Sequence, residues 1–443
     1  MAISAESLIL TPAEVKTHVN DIQGAAVHGK GTTKISNGNN DRPEPTGESF
    51  STPYDVLTAA LPLPAPTSST GYWWRKTGPL MSSLLEKANY PLYKHYKYLL
   101  LYHTHILPLL GPRPIENSAQ SSDNEAWKSF LTDDYSPLEP SWNVSGSSDF
   151  RSTIRLGIEP IGFDAGTAVD PFNQASVARF FQSHNAAEVG VTGGLFEHFR
   201  NELFVGPESY TAIRETLPKG EHVTQNFLAF DLDADRITTK AYFFPILKAL
   251  VTRQSTIKVL SGSIMALAKK SHVWGAQTVA AVSILEAWIA SYDGAKAEMI
   301  SVDCVDDVES RIKIYVRIPH TSLRIVKEAY CLGGRLMDDN TAESLALLDT
   351  TWRTMFRATD EDTELPHNSH RTAGTIFNFE IRPGKWFPEP KVYLPIRHYC
   401  DNDLQIAGRL QELFGKLGWY QMERDYRRDF EDLFTREEMM DHI

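Results

Sequence analysis

The chain has 443 residues, 42% hydrophobic and 23% charged, the composition of a globular protein long enough to bury a sizeable core. Its 44 Lys+Arg against 56 Asp+Glu give a formal net charge of -12, which argues against a nucleic-acid backbone as partner. No stretch approaches the roughly 20 apolar residues of a membrane span. The N-terminus lacks a basic start followed by an apolar run, and Cys304, Cys331 and Cys400 form no CxxC pair, so a reduced, cytoplasmic protein without disulfides is expected.

In chain order, residues 1–53 are expected to be a disordered leader, because His28-Gly29-Lys30-Gly31 through Pro43-Glu44-Pro45-Thr46 offers no periodic apolar face. Residues 54–443 are expected to form one domain. After the Pro-rich patch at 61–66, Leu80, Leu84, Leu85, Tyr98, Leu99 and Leu101 predict helix from 72 to about 110. Strands at about 138–160 then precede helix over 177–204, and strands near 226–246 precede helices between 246 and 292. A strand at 311–318 leads into helix over 322–330, and 376–380 with 391–395 reads as a hairpin. A last amphipathic helix uses Leu404, Ile406, Leu410, Leu413, Phe414 and Leu417. Hairpins make antiparallel neighbours, so the class is α+β rather than a parallel βαβ sheet.

Four strand segments carry the functional signal: Thr153-Ile154-Arg155-Leu156, Lys240-Ala241-Tyr242-Phe243-Phe244, Arg311-Ile312-Lys313-Ile314-Tyr315-Val316 and Lys391-Val392-Tyr393-Leu394. Successive strand side chains point to opposite faces, so Arg311, Lys313 and Tyr315 share one face while Ile312, Ile314 and Val316 share the other. An ordinary solvated strand alternates too, but it has no reason to set a cation two residues before a tyrosine three times over in an acidic chain. A polyanion held beside a flat π surface supplies that reason. If helices cover the apolar faces, the basic and tyrosine faces turn inward, and a sheet does this without exposed edges by closing into a barrel with a solvated interior.

These residues resemble the fungal indole prenyltransferases of the dimethylallyltryptophan synthase type. The resemblance runs from about 72 to 426 and is carried by Tyr72-Trp73-Trp74, Tyr96-Lys97-Tyr98-Leu99, Leu110-Gly111-Pro112, Asp170-Pro171-Phe172-Asn173, Leu332-Gly333-Gly334-Arg335 and Pro388-Glu389-Pro390-Lys391-Val392-Tyr393. It implies an antiparallel ten-stranded β-barrel ringed by helices, with the reaction in the lumen. It also implies roles. Arg155, Lys240, Arg311, Lys313 and Lys391 match diphosphate-binding positions, and Tyr242, Tyr315 and Tyr393 match a tyrosine shield. Glu139 matches the carboxylate that accepts the indole N–H, and Leu131, Phe227 and Phe244 fall in the acceptor pocket. Clustered cations would stabilise departing diphosphate, while tyrosine faces would stabilise an allyl cation and exclude water.

The pattern departs from the family in three places. Phe227 stands where tryptophan-specific members use a lysine base, and Glu298 where they hold the amino-acid carboxylate with an arginine. Both favour a larger neutral indole, a cyclic dipeptide or indole alkaloid, over free tryptophan. Relatives continue past the last helix into a further strand pair, whereas this sequence reaches Ile443 first, which leaves the closing hairpin in question. Metal chemistry finds no motif: Asp338-Asp339 and Asp133-Asp134 start but do not complete DDxxD and read as loop or cap acids, and His103-Thr104-His105 and His367 to His370 have no further metal ligands at a recognisable spacing and read as loop and helix surface.

The expectation is therefore metal-independent transfer of a dimethylallyl group from dimethylallyl diphosphate, the co-substrate, to an indole in secondary metabolism. No metal, nucleic-acid or membrane partner is implied, and a homodimer is left open. The competing reading is a non-catalytic barrel that binds a prenyl diphosphate or an aromatic metabolite.

Overall fold

A computed structural model describes residues 8–10, 52–62, 65, 67–114, 127–145, 151–219, 221–233 and 236–440. The alternating segments form one antiparallel sheet of nine strands: β1 (Leu8–Leu10), β2 (Leu138–Ser145), β3 (Arg151–Ile158), β4 (Asn226–Leu232), β5 (Ile237–Phe243), β6 (Lys296–Asp303), β7 (Ile312–Ile318), β8 (Thr375–Ile381) and β9 (Glu389–Leu394). The order is β1-β9-β8-β7-β6-β5-β4-β3-β2, so the eight long strands form a meander and β1 adds to its far edge. The ten strands implied by the resemblance are thus nine among the described residues. Leu8–Leu10 lies within the expected leader, most of which falls outside the described residues.

Period-two patterning decides which face meets the helices. Ile312, Ile314, Val316 and Ile318 of β7 are fully buried, as are Leu228, Phe230 and Leu232 of β4 and Phe377, Phe379 and Ile381 of β8. All belong to a single core. The helix Leu195–Leu203 packs Phe196 and Phe199 on Phe243 at 5.6 and 5.9 Å between ring centroids, and Ala276–Ser291 sets Trp288 on Phe379 at 5.7 Å. Opposite ends of the sheet face one cavity, since Glu139 and Ser141 of β2 and Lys391 and Tyr393 of β9 line it together, so the sheet is strongly curled. No described helix is long and apolar enough to cross a membrane.

The structure refines several expected elements. The helix expected over 72–110 is Ser69–Lys87 and Leu92–Leu101, broken where Asn89 takes φ 57° and Pro91 caps the second segment. Helix over 177–204 is three pieces, Ala175–Gln182, Asn185–Glu188 and Leu195–Leu203. Strand β6 and the helix Asp339–Phe356 were not anticipated. Asp338 caps that helix by accepting from the Thr341 N–H at 2.8 Å, as the cap reading supposed.

One loop clamps the strands that carry the charged site. Thr192 and Gly193 donate their N–H groups to the Cys304 carbonyl at 2.9 and 3.2 Å, and Thr239 Oγ1 donates to the Val189 carbonyl at 2.6 Å. Gly190 holds φ 84°, and a β-carbon there would lie 1.9 Å from the Ile237 carbonyl oxygen, closer than atoms can pack. Gly190→Ala is therefore expected to lower stability by about 2 kcal/mol or more, read as a reduced urea midpoint at unchanged slope. An unchanged midpoint would mean that the loop does not brace β5.

Candidate active site

Two-residue alternation along curled strands stacks the inward side chains in layers. The deepest layer is ionic and alternates in sign across seven consecutive strands: Arg155, Asp231, Lys240, Asp303, Lys313, Glu380 and Lys391 on β3 to β9. Register sets the pairs, with Arg155 directly opposite Asp231, Lys240 opposite Asp303 and Lys313 opposite Glu380.

The contacts form a chain. Arg155 Nη2 donates to Asp231 Oδ2 at 3.1 Å, and Lys240 Nζ donates to the same oxygen. Asp303 accepts from Lys313 Nζ at 3.0 Å and from Arg311 Nε at 2.6 Å, with Lys240 Nζ at 3.9 Å. Glu380 takes Arg311 Nη1 at 3.2 Å and Lys391 Nζ at 3.6 Å, and contacts Arg382 as well.

Lys240, Lys313 and Asp303 are 3, 5 and 3% exposed, so these charges are largely dry. Burial pushes the Asp303 carboxyl up, but Lys313, Lys240 and Arg311 outweigh it and hold it well below the usual carboxylate range. Asp231 is held low by Arg155 and Lys240 against the same burial. Burial pulls the Lys313 ammonium down to about 7, with Asp303 opposing and Arg311 and Lys240 adding to the fall.

The next layer is phenolic. Tyr242, Tyr315 and Tyr393 line the cavity in a row, their ring centroids 6.0 and 5.9 Å apart and their planes tilted by 46°. Asn378, directly opposite Tyr315, donates from Nδ2 to the Tyr393 hydroxyl at 2.9 Å. Burial raises all three phenols, so they stay protonated at neutral pH.

Above them lies an aromatic wall. Phe227 and Phe244 meet edge to face at 4.8 Å, and Phe130 approaches them at 6.5 and 6.0 Å. Phe130 also stacks on His222 at 3.5 Å, and burial, with help from Arg371, lowers that imidazole to about 3. Glu139 faces the same space from β2. Its cross-strand neighbour is Gly157, where a β-carbon would come within 3.3 Å of the Glu139 carbonyl oxygen and 3.6 Å of its carboxylate. Glycine keeps this place open.

A buried carboxylate fixes one part of the wall. Glu159, 1% exposed, accepts from Trp127 Nε1 at 2.9 Å, Ser129 Oγ at 2.7 Å, the Phe130 N–H at 3.0 Å and Thr224 Oγ1 at 2.9 Å. It thereby ties segment 127–131, with Phe130 and Leu131, to the end of β3.

The mouth of the cavity carries a second set of charges. Asp133 pairs with Arg371 Nη2 at 3.0 Å, with His370 Nε2 at 3.3 Å and with Arg397, joining the segment before β2 to residues around β8 and β9. The Arg371 guanidinium lies 4.1 Å from the Phe130 ring centroid. Arg317 grips Glu298 with two bonds of 2.8 and 3.1 Å and gives Nη1 to the carbonyls of Thr372 and Ala373 at 2.8 and 3.2 Å.

The cavity measures about 850 Å³. Of the residues singled out from sequence, Glu139, Arg155, Lys391, Tyr242, Tyr315, Tyr393, Leu131, Phe227 and Phe244 line it. Lys240, Arg311 and Lys313 are not on that lining and join it through the acids. Sequence reasoning missed Asp231, Asp303 and Glu380, the mouth arginines and Glu159. The strand register supplies the signal for the acids, each facing a cation already identified. Among the described residues no cluster of three or more His, Cys, Asp or Glu side chains is arranged to hold a metal.

Residues 69–429 match the family model described as tryptophan dimethylallyltransferase. A 7-dimethylallyltryptophan synthase from Aspergillus fumigatus is 67% identical over 437 residues, covering 98% of this chain and 92% of that protein. The solved structure of AnaPT from Neosartorya fischeri superposes with TM-score 0.73 at 27% identity, over 86% of this chain and 89% of its own. NotF in complex with brevianamide F and DMSPP gives 0.71 at 26% identity, over 86 and 89%. The chain belongs to the tryptophan dimethylallyltransferase family and is an indole prenyltransferase of the prenyltransferase-barrel fold that uses dimethylallyl diphosphate.

Proposed function

We propose that this enzyme places the dimethylallyl group on C7 of tryptophan. The observation that carries this reading is the 67% identity, over 98% of the chain, to a 7-dimethylallyltryptophan synthase. Geometry adds support, because Glu298 is neutralised by Arg317 and does not present a bare carboxylate to an amino acid. A second reading keeps the larger neutral indole, favoured by the roomy cavity and by Phe227. Incubation with dimethylallyl diphosphate and a panel of indoles decides between them. C7-prenylated tryptophan, identified by mass and NMR, is expected as the main product; preferential use of a cyclic dipeptide would overturn the first reading.

In the proposed mechanism, the allylic C–O bond breaks with its electron pair leaving on diphosphate. The ionic layer receives that charge: with Arg382 included, six cations meet three acids there. Tyr242, Tyr315 and Tyr393 face the allyl cation with their π surfaces and keep water away. Indole attacks to form the C–C bond, and loss of the ring proton restores aromaticity. Glu139 accepts the indole N–H and raises the ring's electron density as it attacks. The charge neutralisation comes from side chains, so chelators should leave turnover intact. The single domain spanning 54–443 and the curling of its sheet into a closed barrel belong to this same reading.

Two measurements test the assigned roles. Glu139→Gln should lower kcat/KM for the indole about 100-fold while leaving donor affinity within about twofold; full activity would remove Glu139 from its role. Donor binding should also depend on pH. Lys313 is half-charged near pH 7 in the free enzyme, and an adjacent diphosphate favours its charged form, so binding takes up a proton above that point. Affinity for dimethylallyl diphosphate without acceptor should change little below pH 7 and weaken about fivefold from pH 7 to 8. Calorimetry in two buffers of different ionisation enthalpy reads the proton; a flat profile from pH 6 to 9 would place Lys313 outside the donor site.

A further inference from the structure

The mouth cluster takes no part in the roles proposed above for diphosphate and the indole ring. We propose that Arg371, with Arg397 beside it, binds the α-carboxylate of the amino-acid acceptor, an inference that rests on tryptophan being that acceptor.

Position is the first argument. Arg371 covers Phe130, and Phe130 borders the Phe227–Phe244 wall, so the guanidinium stands one ring away from the aromatic surface against which an indole would lie. Asp133, its partner, precedes Glu139 by six residues in the same segment, so the carboxylate that would take the indole N–H and the proposed head-group site share one support. An acceptor with its ring held at Glu139 and its polar end toward the mouth spans the two.

Charge is the second. Two guanidinium groups reach the Asp133 carboxylate, so positive charge is gathered at this rim. His398, which touches Thr372 at this rim, is lowered to about 4 by burial and by Arg397, so it is neutral near pH 7. Arginine presents five N–H donors in a planar fork that fits a carboxylate. Arg371 gives Nη2 to Asp133 at 3.0 Å and reaches the Phe130 carbonyl only at 3.4 Å, which leaves donor capacity for an incoming anion.

The other cations near the cavity fit less well. Arg317 has its fork filled by Glu298 and two backbone carbonyls. Lys296 is paired with Glu221 at 2.8 Å, and Lys219 is exposed at the rim, where water and salt weaken its attraction. Arg155 and Lys391 lie in the deep ionic layer with Asp231 and Glu380.

The test compares L-tryptophan with tryptamine, the same indole without the carboxylate, on the full chain with saturating dimethylallyl diphosphate. Wild type should prefer tryptophan. In Arg371→Gln, kcat/KM for tryptophan should fall roughly 10- to 100-fold, mainly through KM, with a much smaller loss for tryptamine, so the preference collapses. Arg371→Lys, which keeps the charge and loses the fork, should recover part of it. Equal losses on both substrates, or an unchanged preference, would show a structural role and overturn the proposal while the tryptophan reading stands. A wild-type enzyme that prefers tryptamine or a cyclic dipeptide would overturn both.

Discussion

The interior of this protein depends on cations being buried without being isolated. A dry ammonium or guanidinium alone costs several kcal/mol in desolvation, and breaking a buried pair by removing one partner typically costs about 3–5 kcal/mol. Here Asp231, Asp303 and Glu380 stand between the cations on neighbouring strands, so Arg155, Lys240 and Lys313 each have a negative neighbour fixed by the sheet ladder. Asp303 alone touches Lys313 and Arg311 and lies near Lys240. The arrangement holds the cations at set positions before any ligand arrives, which spares the ordering cost that flexible lysines would otherwise incur on binding.

That ionic band also fixes the register of the sheet. A slip of one residue would turn Lys313 and Tyr315 into the helical coat and Ile312, Ile314 and Val316 into the lumen. The same two-residue period therefore builds both the apolar outer face and the sequence of inner layers, ionic, then phenolic, then aromatic. In the proposed mechanism that order is chemically useful: the leaving anion, the allyl fragment and the indole would each meet the surface that stabilises it, in the sequence in which a donor and an acceptor would lie in the cavity. Gly157 and Glu139 show how local the requirement is, since a single β-carbon would occupy the space beside the carboxylate.

Much of this could be read from residue patterns, because a cation two positions before a tyrosine survives as a pattern whatever surrounds it. With helices covering the apolar faces the inward face follows from it, and the antiparallel pairing follows from the hairpin spacing. Strand β6 escaped notice for a physical reason. Its pairing jumps from Ala297–Val316 to Met299–Tyr315, so Glu298 is an extra residue and the alternation changes parity within the strand. Apolar positions fall at Ala297 before the bulge and at Ile300 and Val302 after it, and no single period fits. Asp303 sits on that strand and was hidden with it. Asp231 and Glu380 end strands where acids are common, and only the register shows that they face cations. Arg371, Arg397 and Asp133 lie far apart in sequence and meet through the curl, which no local pattern encodes.

The curl leaves a seam between the first and last long strands. Among the described residues β2 and β9 share no ladder; β9 pairs instead with β1, and the two sides of the mouth are joined by Asp133 with Arg371 and Arg397 and by Arg371 on Phe130. Backbone ladders and ion pairs differ in what they tolerate. A ladder hydrogen bond has one partner fixed by register, whereas a guanidinium can exchange one carboxylate for another and keep most of its interaction energy. In the proposed role, a cavity mouth bridged by arginines would take up a carboxylate-bearing acceptor without unzipping strands, while the ionic layer beneath, locked in register, keeps its cations in place. Rigidity and adaptability are thus assigned to opposite ends of one cavity by the kind of bond that closes each.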